Sequence, residues 1–137
     1  MSSKTIILDT NLWISFLISK KYNQIDDLIT ARKIQLIFST ELLQEFIAVT
    51  RRPKFEKYFS KTDIEEIIKL LEYHGKLVET NSYTSICRDL KDNFLLNLAL
   101  DSQADYLLTS DEDLLVLKNI KHTSICTWSD FVDDLRK

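Results

Sequence analysis

The amino-acid sequence predicts an α/β fold, a three-layer α/β/α sandwich around a central, mostly parallel sheet of about five strands. Short apolar runs alternate with segments whose apolar residues recur at helical spacing. The first run, residues 5–8, is β-branched and uninterrupted, as expected of a strand buried on both faces. Strands that alternate with helices favour parallel pairing through helical crossovers, with helices on both sides of the sheet.

The N-terminal third of the chain predicts two strands separated by two helices. After the strand at residues 5–8, helices are predicted at 11–17 and 24–33, where apolar residues lie on one face. Residues 35–38 form the second predicted strand. Ser39 or Thr40 then begins another helix, because both residue types favour the position before a first turn.

The central third contains the clearest amphipathic helix, at residues 60–73, with Ser60 or Thr62 as its cap. Pro53 ends the preceding helix, since proline cannot continue one. Gly75 suits a turn after the amphipathic helix. A short third strand is predicted at 76–79.

The C-terminal third repeats the alternation of helices and strands. The apolar pattern predicts helices at 94–100, 113–117 and 129–135, and strands at 105–108 and 123–126.

Size and composition fit a single domain that covers residues 1–137. Hydrophobic residues make up 45%, and one glycine and one proline argue against a linker or a disordered tail. No apolar run reaches the roughly 18 residues that span a membrane, and the N-terminus shows no secretory signal. Cys87 and Cys126 have no paired spacing, and with His74 and His122 they fail the common zinc patterns. We expect a cytoplasmic protein with idle thiols.

Four acids occur where this topology brings them towards one edge of the sheet. Asp9 directly follows the first strand, and Asp111 comes three residues after an apolar run. Ligand sites in open parallel sheets lie beyond the carboxyl ends of the strands. Asp92 begins the helix that leads into the fourth strand, so it should start at that same edge. Glu45 lies in mid-helix among apolar neighbours, near the border of the buried face.

Each acid taken alone has an ordinary alternative. Asp92 and Asp111 could cap helices, Asp9 could be a turn residue, and Glu45 could be a solvated helix residue. The functional interpretation depends on the combination. Carboxylates packed together repel one another, and divalent cations relieve that repulsion. Mg²⁺ prefers oxygen ligands, and paired ions can activate water against a phosphodiester.

Four segments resemble, in order and spacing, the motifs of PIN-domain nucleases. They are residues 6–14 around Asp9, 42–46 around Glu45, 88–99 around Asp92, and 104–115 around Asp111. The closest resemblance is to the toxin components of bacterial and archaeal toxin–antitoxin systems, the VapC-like proteins. Leu90 and Ser110 depart from that subgroup, which frequently has Pro and Gly there, and the departures concern loop geometry only.

The resemblance implies a divalent-metal-dependent endoribonuclease in which water, activated by Mg²⁺ or Mn²⁺, attacks phosphorus in line. It also implies an RNA substrate, a small antitoxin partner, a homodimer and no membrane association. The alternatives are a nuclease for structured DNA or precursor RNA, or a PIN-like binding module whose catalysis has lapsed. The implied residues are Asp9, Glu45, Asp92 and Asp111 as catalytic metal ligands, Asp113 as an additional metal ligand, and Asn11 and Thr109 as residues that orient the carboxylates. Asp89 is a weaker candidate.

A net charge of −3 is unusual for a nucleic-acid enzyme, because phosphate contacts favour basic surfaces. Local electrostatic fields decide such binding, however. In residues 51–59, cations alternate with aromatic residues that could stack on unpaired bases. The alternative is a solvated helix end with core aromatics. The candidate nucleic-acid-binding residues are Arg51, Arg52, Lys54 and Lys57.

Overall fold

Helices and strands alternate along the chain in a computed structural model, which describes residues 3–19, 22–83, 85 and 90–136. No helix within these ranges is both long enough and apolar enough to cross a membrane. In chain order the elements are β1 (Lys4–Leu8), α1 (Thr10–Ile18), α2 (Tyr22–Thr30), β2 (Ile34–Phe38), α3 (Thr40–Thr50), a 3₁₀ turn (Pro53–Phe55), α4 (Lys61–His74), β3 (Gly75–Leu77), α5 (Leu90–Ser102), β4 (Tyr106–Leu108), α6 (Glu112–Leu115), β5 (Asn119–Ile120), β6 (Thr123–Cys126) and α7 (Trp128–Leu135).

The strands of the described residues form one sheet in the order β3-β2-β1-β4-β6-β5. Neighbouring strands are parallel, except that β5 pairs antiparallel with β6. The predicted fold class is therefore confirmed, with six strands instead of about five. The additional strand is the two-residue β5, joined to β6 through Lys121, whose φ of 50° lies in the left-handed region. Glycine and asparagine usually mark that backbone conformation, so a lysine there gave no turn signal.

The centre of the sheet is covered on both faces. Ile6 and Ile7 are each 0% exposed, and consecutive side chains of a strand point to opposite faces. Leu107 and Leu108 of the neighbouring β4 are also fully buried. A strand buried on both faces needs apolar residues throughout instead of in alternation, which explains the uninterrupted runs in the sequence.

Side-chain caps fix the starts of α3 and α4. Ser39, and not Thr40, caps α3 by accepting the N–H of Leu42 at 3.1 Å. Ser60, and not Thr62, caps α4 in a reciprocal capping box with Asp63, with both bonds at 3.0 Å.

Gly75 has a different role from the predicted one. It follows the last residue of α4 directly, begins β3 and has a φ of −95°, so no left-handed turn is present. A Cβ atom at this position would lie 2.5 Å from the carbonyl oxygen of Leu71 and 2.7 Å from the ring of Phe38. Close packing between the end of α4 and β2 therefore requires the glycine.

Two helix boundaries differ from the predicted ones, and the first of them matters for the site. The helix α5 begins at Leu90 instead of residue 94, which places Asp92 in its first turn. The helix α2 ends at Thr30 instead of residue 33, because the backbone turns at Arg32 with a φ of 58°. Arginine is not a helix breaker, so no residue type marks that end of α2.

Candidate metal centre

Asp9 lies at the carboxyl end of β1, at the middle of the sheet. Its carboxylate caps α1 by accepting the N–H of Asn11 at 3.3 Å. Its own N–H donates to the carbonyl oxygen of Leu108 at 3.0 Å, which holds the Asp9 backbone beside the end of β4. The side chain is only 9% exposed, so the carboxylate is fixed in place before any ligand arrives.

The hydroxyl of Thr109 connects the loops that follow β1 and β4. It donates to Oδ2 of Asp9 at 2.7 Å and accepts from the N–H of Asp111 at 3.0 Å. Thr109 is 1% exposed, and one hydroxyl can serve as donor and acceptor at once. This single buried side chain therefore sets the position of Asp9 relative to the loop that carries Asp111.

Three carboxylates gather at this edge of the sheet, and we call them the acidic group. Asp92, Asp111 and Asp113 each present one oxygen, and these three oxygens lie within 4.8 Å of one another. Asp92 is buried, Asp111 is half-buried and Asp113 is exposed. The acidic group thus extends from the core to the surface, with one side open to solvent.

Asp111 is both a cap and a member of the acidic group. Its Oδ1 accepts the N–H of Asp113 at 2.9 Å and so begins α6. A carboxylate has two oxygens with several lone pairs, and this cap occupies only one of those sites. The ordinary interpretation of Asp111 and the functional one are therefore compatible.

Glu45 lies in the middle of α3, half-buried between the buried residues Leu42 and Phe46. Its helix packs against α1, where the rings of Trp13 and Phe46 are 6.5 Å apart, and α3 also contacts α5. Glu45 is therefore on the border of the buried face, as its neighbours in the sequence suggest.

The acids predicted to converge differ in how closely the structure brings them together. Asp92 and Asp111 share the acidic group, and the additional acid Asp113 completes it. Asp9 and Glu45 do not belong to this group of mutually close oxygens. Asp9 is linked to it through Thr109, and the helix of Glu45 contacts α5, the helix of Asp92.

The donor set fits a hard divalent cation. Every member of the acidic group is a carboxylate, and oxygen ligands without nitrogen or sulfur suit Mg²⁺ or Mn²⁺. The first turn of α5 favours negative charge at Asp92, because the N–H groups of a helix start point at it. The mutual repulsion of the three carboxylates remains, and a cation between them would remove it.

The other predicted site residues lie as follows. The backbone N–H of Asn11 donates to the carboxylate of Asp9, and the side chain of Asn11 is exposed. Ser110 is exposed and is not among the residues with positive φ, so serine in place of glycine brings no backbone strain. Cys87, Asp89 and the side chain of Leu90 are outside the described residues. The basic candidates Arg51, Arg52, Lys54 and Lys57 are exposed in the connection between α3 and α4.

Two buried amides near Asp92 were not predicted. Asn93 and Asn97 are 5% and 7% exposed on α5. Residues four apart on a helix are neighbours on one face, so these amides form a polar strip among the buried leucines of α5. The signal was present in the sequence as two asparagines among leucines. Oδ1 of Asn97 is buried and has no hydrogen-bond partner among the described residues.

A family model described as the PIN domain matches residues 5–113, well over half of the sequence. The chain belongs to the PIN-domain family. The predicted family is thus confirmed, and membership in it supports the predicted class of activity, a nuclease. The match includes Asp9, Glu45, Asp92, Asp111 and Asp113.

One relative and two solved structures are similar along most of their length. The uncharacterized protein MJ1680 of Methanocaldococcus jannaschii is 29% identical over 143 positions, covering 96% of this chain and 92% of the relative. The crystal structure of PAE2754 from Pyrobaculum aerophilum has a TM-score of 0.61 at 13% identity, covering 98% of this chain and 91% of its own. VapBC2 from Rickettsia felis, solved with a DNA fragment from its promoter, has a TM-score of 0.56 at 16% identity, covering 90% and 98%. At these identities the structural similarity establishes the fold.

Proposed function

We propose that this PIN-domain protein is a divalent-metal-dependent endoribonuclease and the toxin of a toxin–antitoxin pair. One observation carries the proposal. The acidic group of Asp92, Asp111 and Asp113 lies beyond the carboxyl ends of parallel strands, where open α/β sheets bind their ligands.

Each acid has a distinct part in this proposal. Asp92 and Asp111 would hold the cation from the buried side of the acidic group, and Asp113 would hold it from the solvent side. Asp9 and Glu45 complete the ligand set through the loop after β1 and through α3. When bound, Mg²⁺ or Mn²⁺ supplies activation of the attacking water and neutralises charge that develops on the phosphodiester.

Hydrogen bonds to the buried hydroxyl of Thr109 hold the carboxylate of Asp9 and the backbone of Asp111. Thr109 fixes Asp9 and the loop of Asp111 together, so neither acid has to be ordered when the cation binds. In hydrolysis the water oxygen forms the new bond to phosphorus, and the ester oxygen leaves and takes up a proton from solvent. The proton of the attacking water passes to solvent. We assign the first acceptance of that proton to Asp113, the exposed carboxylate of the acidic group.

The toxin assignment rests on the motifs around Asp9, Glu45, Asp92 and Asp111, which resemble those of VapC-like toxins. The fold that the chain shares with VapBC2 agrees with this assignment. The proposal includes an RNA substrate, a small antitoxin that blocks the site, and a homodimer.

The test is cleavage of end-labelled single-stranded RNA by the purified protein with Mn²⁺, with Mg²⁺ and with chelator. Asp92→Asn removes one charge from the acidic group at nearly constant volume. Glu112→Gln is the matched control, because Glu112 is exposed between Asp111 and Asp113 but is not part of the group. We expect cutting that needs metal, that Asp92→Asn abolishes and that Glu112→Gln retains.

A second readout is independent of substrate choice. A ligand that binds only the folded state raises the melting temperature, so Mn²⁺ should stabilise the wild type and Glu112→Gln but not Asp92→Asn. No cutting of the single-stranded RNA together with a clear metal shift would favour structured DNA or precursor RNA as the substrate. No cutting and no metal shift would contradict the metal centre and favour a binding module.

A further inference from the structure

The connection between α3 and α4 concentrates positive charge in an acidic protein. We call residues 51–61 the basic turn. It holds five cations and one carboxylate, while the whole chain has a net charge of −3. The cations are Arg51, Arg52, Lys54, Lys57 and Lys61, and all of them are exposed.

The charges of the basic turn are not used within the described fold. Neither a hydrogen bond nor an ion pair engages the side chains of these five cations among the residues that the structure describes. Two cation–π contacts are present instead. Nζ of Lys54 lies 5.0 Å from the ring centroid of Phe55, and Nζ of Lys57 lies 5.1 Å from that of Tyr58.

Aromatic residues anchor the basic turn and leave one ring at its surface. Phe59 is 7% exposed and belongs to the core, and Phe55 is partly buried against it. Tyr58, by contrast, is 45% exposed. An exposed ring among cations is the combination with which proteins bind unpaired bases and their phosphates.

A purely structural role explains only part of this surface. Arg51 and Arg52 follow the last residue of α3, where positive charge compensates the helix dipole. Lys54 and Lys57 lie beyond that last turn, and the dipole effect does not extend so far. The exposed Tyr58 contributes nothing to the dipole either.

We propose that the basic turn binds the phosphate backbone of single-stranded RNA outside the cleavage site, with Tyr58 stacked on an unpaired base. This inference rests on the proposed function, because it assigns a second contact to the same substrate. Arg51 directly follows α3, the helix of Glu45, and lies roughly 9 Å along its axis from that residue at the usual helical rise. RNA bound at the basic turn would therefore lie close to the helix of Glu45, which the proposed function includes in the ligand set.

The experiment measures binding without cleavage, so that it stands apart from the proposed activity. A fluorescein-labelled oligouridylate is titrated with the protein in chelator, over a series of salt concentrations. The variant Lys54→Gln/Lys57→Gln removes two charges from the basic turn. The control Lys118→Gln/Lys121→Gln removes two exposed charges beside β5. The strand β5 is at one end of the sheet, whereas α4, which follows the basic turn, packs on β2 and β3 at the other end.

We expect the basic-turn variant to bind roughly tenfold or more weakly at about 0.1 M salt, with the slope of log K against log salt reduced by about 1.4. The control should change the affinity less than twofold. Tyr58→Ala should weaken binding roughly 5- to 100-fold with the salt slope unchanged, while Tyr58→Phe retains binding because the ring remains.

Equal weakening in both double variants would overturn the proposal, since it would show a nonspecific charge effect. Unchanged binding in the basic-turn variant would do the same. Equally tight binding of a duplex RNA through these lysines, with no effect of Tyr58→Ala, would exclude the single-strand assignment. If the basic-turn effect appears but the wild type cuts no RNA with metal, the binding surface stands and the proposed nuclease fails.

Discussion

The two edges of the sheet use carboxylates in opposite ways. At the amino edge, Asp105 accepts from the N–H of Thr5 at 2.9 Å and from its hydroxyl at 3.2 Å, and Nε2 of His122 lies 3.2 Å from the other oxygen. At the carboxyl edge, Asp92 and Asp111 face each other and Asp113. Hydrogen-bond donors surround the carboxylate of Asp105. Each carboxylate of the acidic group, by contrast, has the other two close to it.

This difference distinguishes an acid with a structural role from acids with a proposed functional role. Burial alone would raise the pKa of Asp105, but the hydrogen bonds from Thr5 and His122, helped by the charge of Lys4, outweigh it and lower the pKa. The acid is therefore charged and satisfied within the fold. Within the acidic group, by contrast, three carboxylates lie close enough to repel one another. An arrangement of like charges that a cation would relieve is typical of functional sites.

The largest expected effect comes from Asp111→Asn. Cleavage should fall more than roughly 100-fold, because loss of a direct ligand exceeds the 10- to 100-fold loss typical of residues that only orient ligands. In chelator the melting temperature should stay the same or rise, because one repulsive charge is gone. Cleavage assays and thermal melts of the same preparations check both parts. A melting temperature that falls sharply in chelator would show that Asp111 is structural, like Asp105.

Thr109→Val should lower cleavage roughly 10- to 100-fold, because the hydroxyl that ties Asp9 to the loop of Asp111 is lost. Thr109→Ser keeps the hydroxyl and should restore most of the activity. The apparent affinity for Mn²⁺, measured by titration, should weaken in the valine variant alone. Equal activity of the two variants would show that the link is not needed.

Asp105→Ala should act on stability and spare activity. It removes the acceptor for Thr5 and His122, and we expect a loss of about 1–3 kcal/mol in the free energy of unfolding. Urea denaturation measures this loss, with Asp133→Ala, an exposed residue of α7, as the control. A loss of metal-dependent cleavage at temperatures where the variant is folded would contradict the purely structural role of Asp105 at the amino edge.

The smallest effect is the pH dependence of that stability. The pKa of Asp105 is lowered in the folded protein from its ordinary value of 3.8. Its charge therefore contributes stability fully above pH 3.8, and this contribution is lost as the pH falls through the lowered pKa. The difference in unfolding free energy between the wild type and Asp105→Ala should shrink below pH 3.8, and a difference that stays constant there would assign it to packing alone.

The sequence predicted those features that depend on local pattern or on topology. The apolar runs of β1 and β4 identified buried parallel strands, and the rule for their carboxyl ends placed Asp9 and Asp111 at one edge. An oxygen of Asp113 lies within 4.8 Å of one of Asp92. Only the resemblance to a family predicted a role for Asp113 beside Asp92, because its position in the sequence marks it simply as an acid in the first turn of a helix.

Other features depend on three-dimensional contacts that no local pattern encodes. The bridge through Thr109 requires the register of β1 against β4, which sets Leu8 beside Leu108. The strand β5 depends on left-handed backbone at Lys118 and Lys121, where the residue type gives no warning. Glycine at position 75 looked like a turn signal, although crowding by Phe38 is the actual reason for it.

Gly75 has a consequence for how this protein can be altered. Because α4 passes into β3 without a connecting residue, the last turn of the helix and the first pair of the strand share one joint. A single inserted residue there would rotate the helix by about 100° or shift the strand to its opposite face, and no loop could absorb the change. We expect the chain to tolerate inserted tags or permuted termini poorly at this joint.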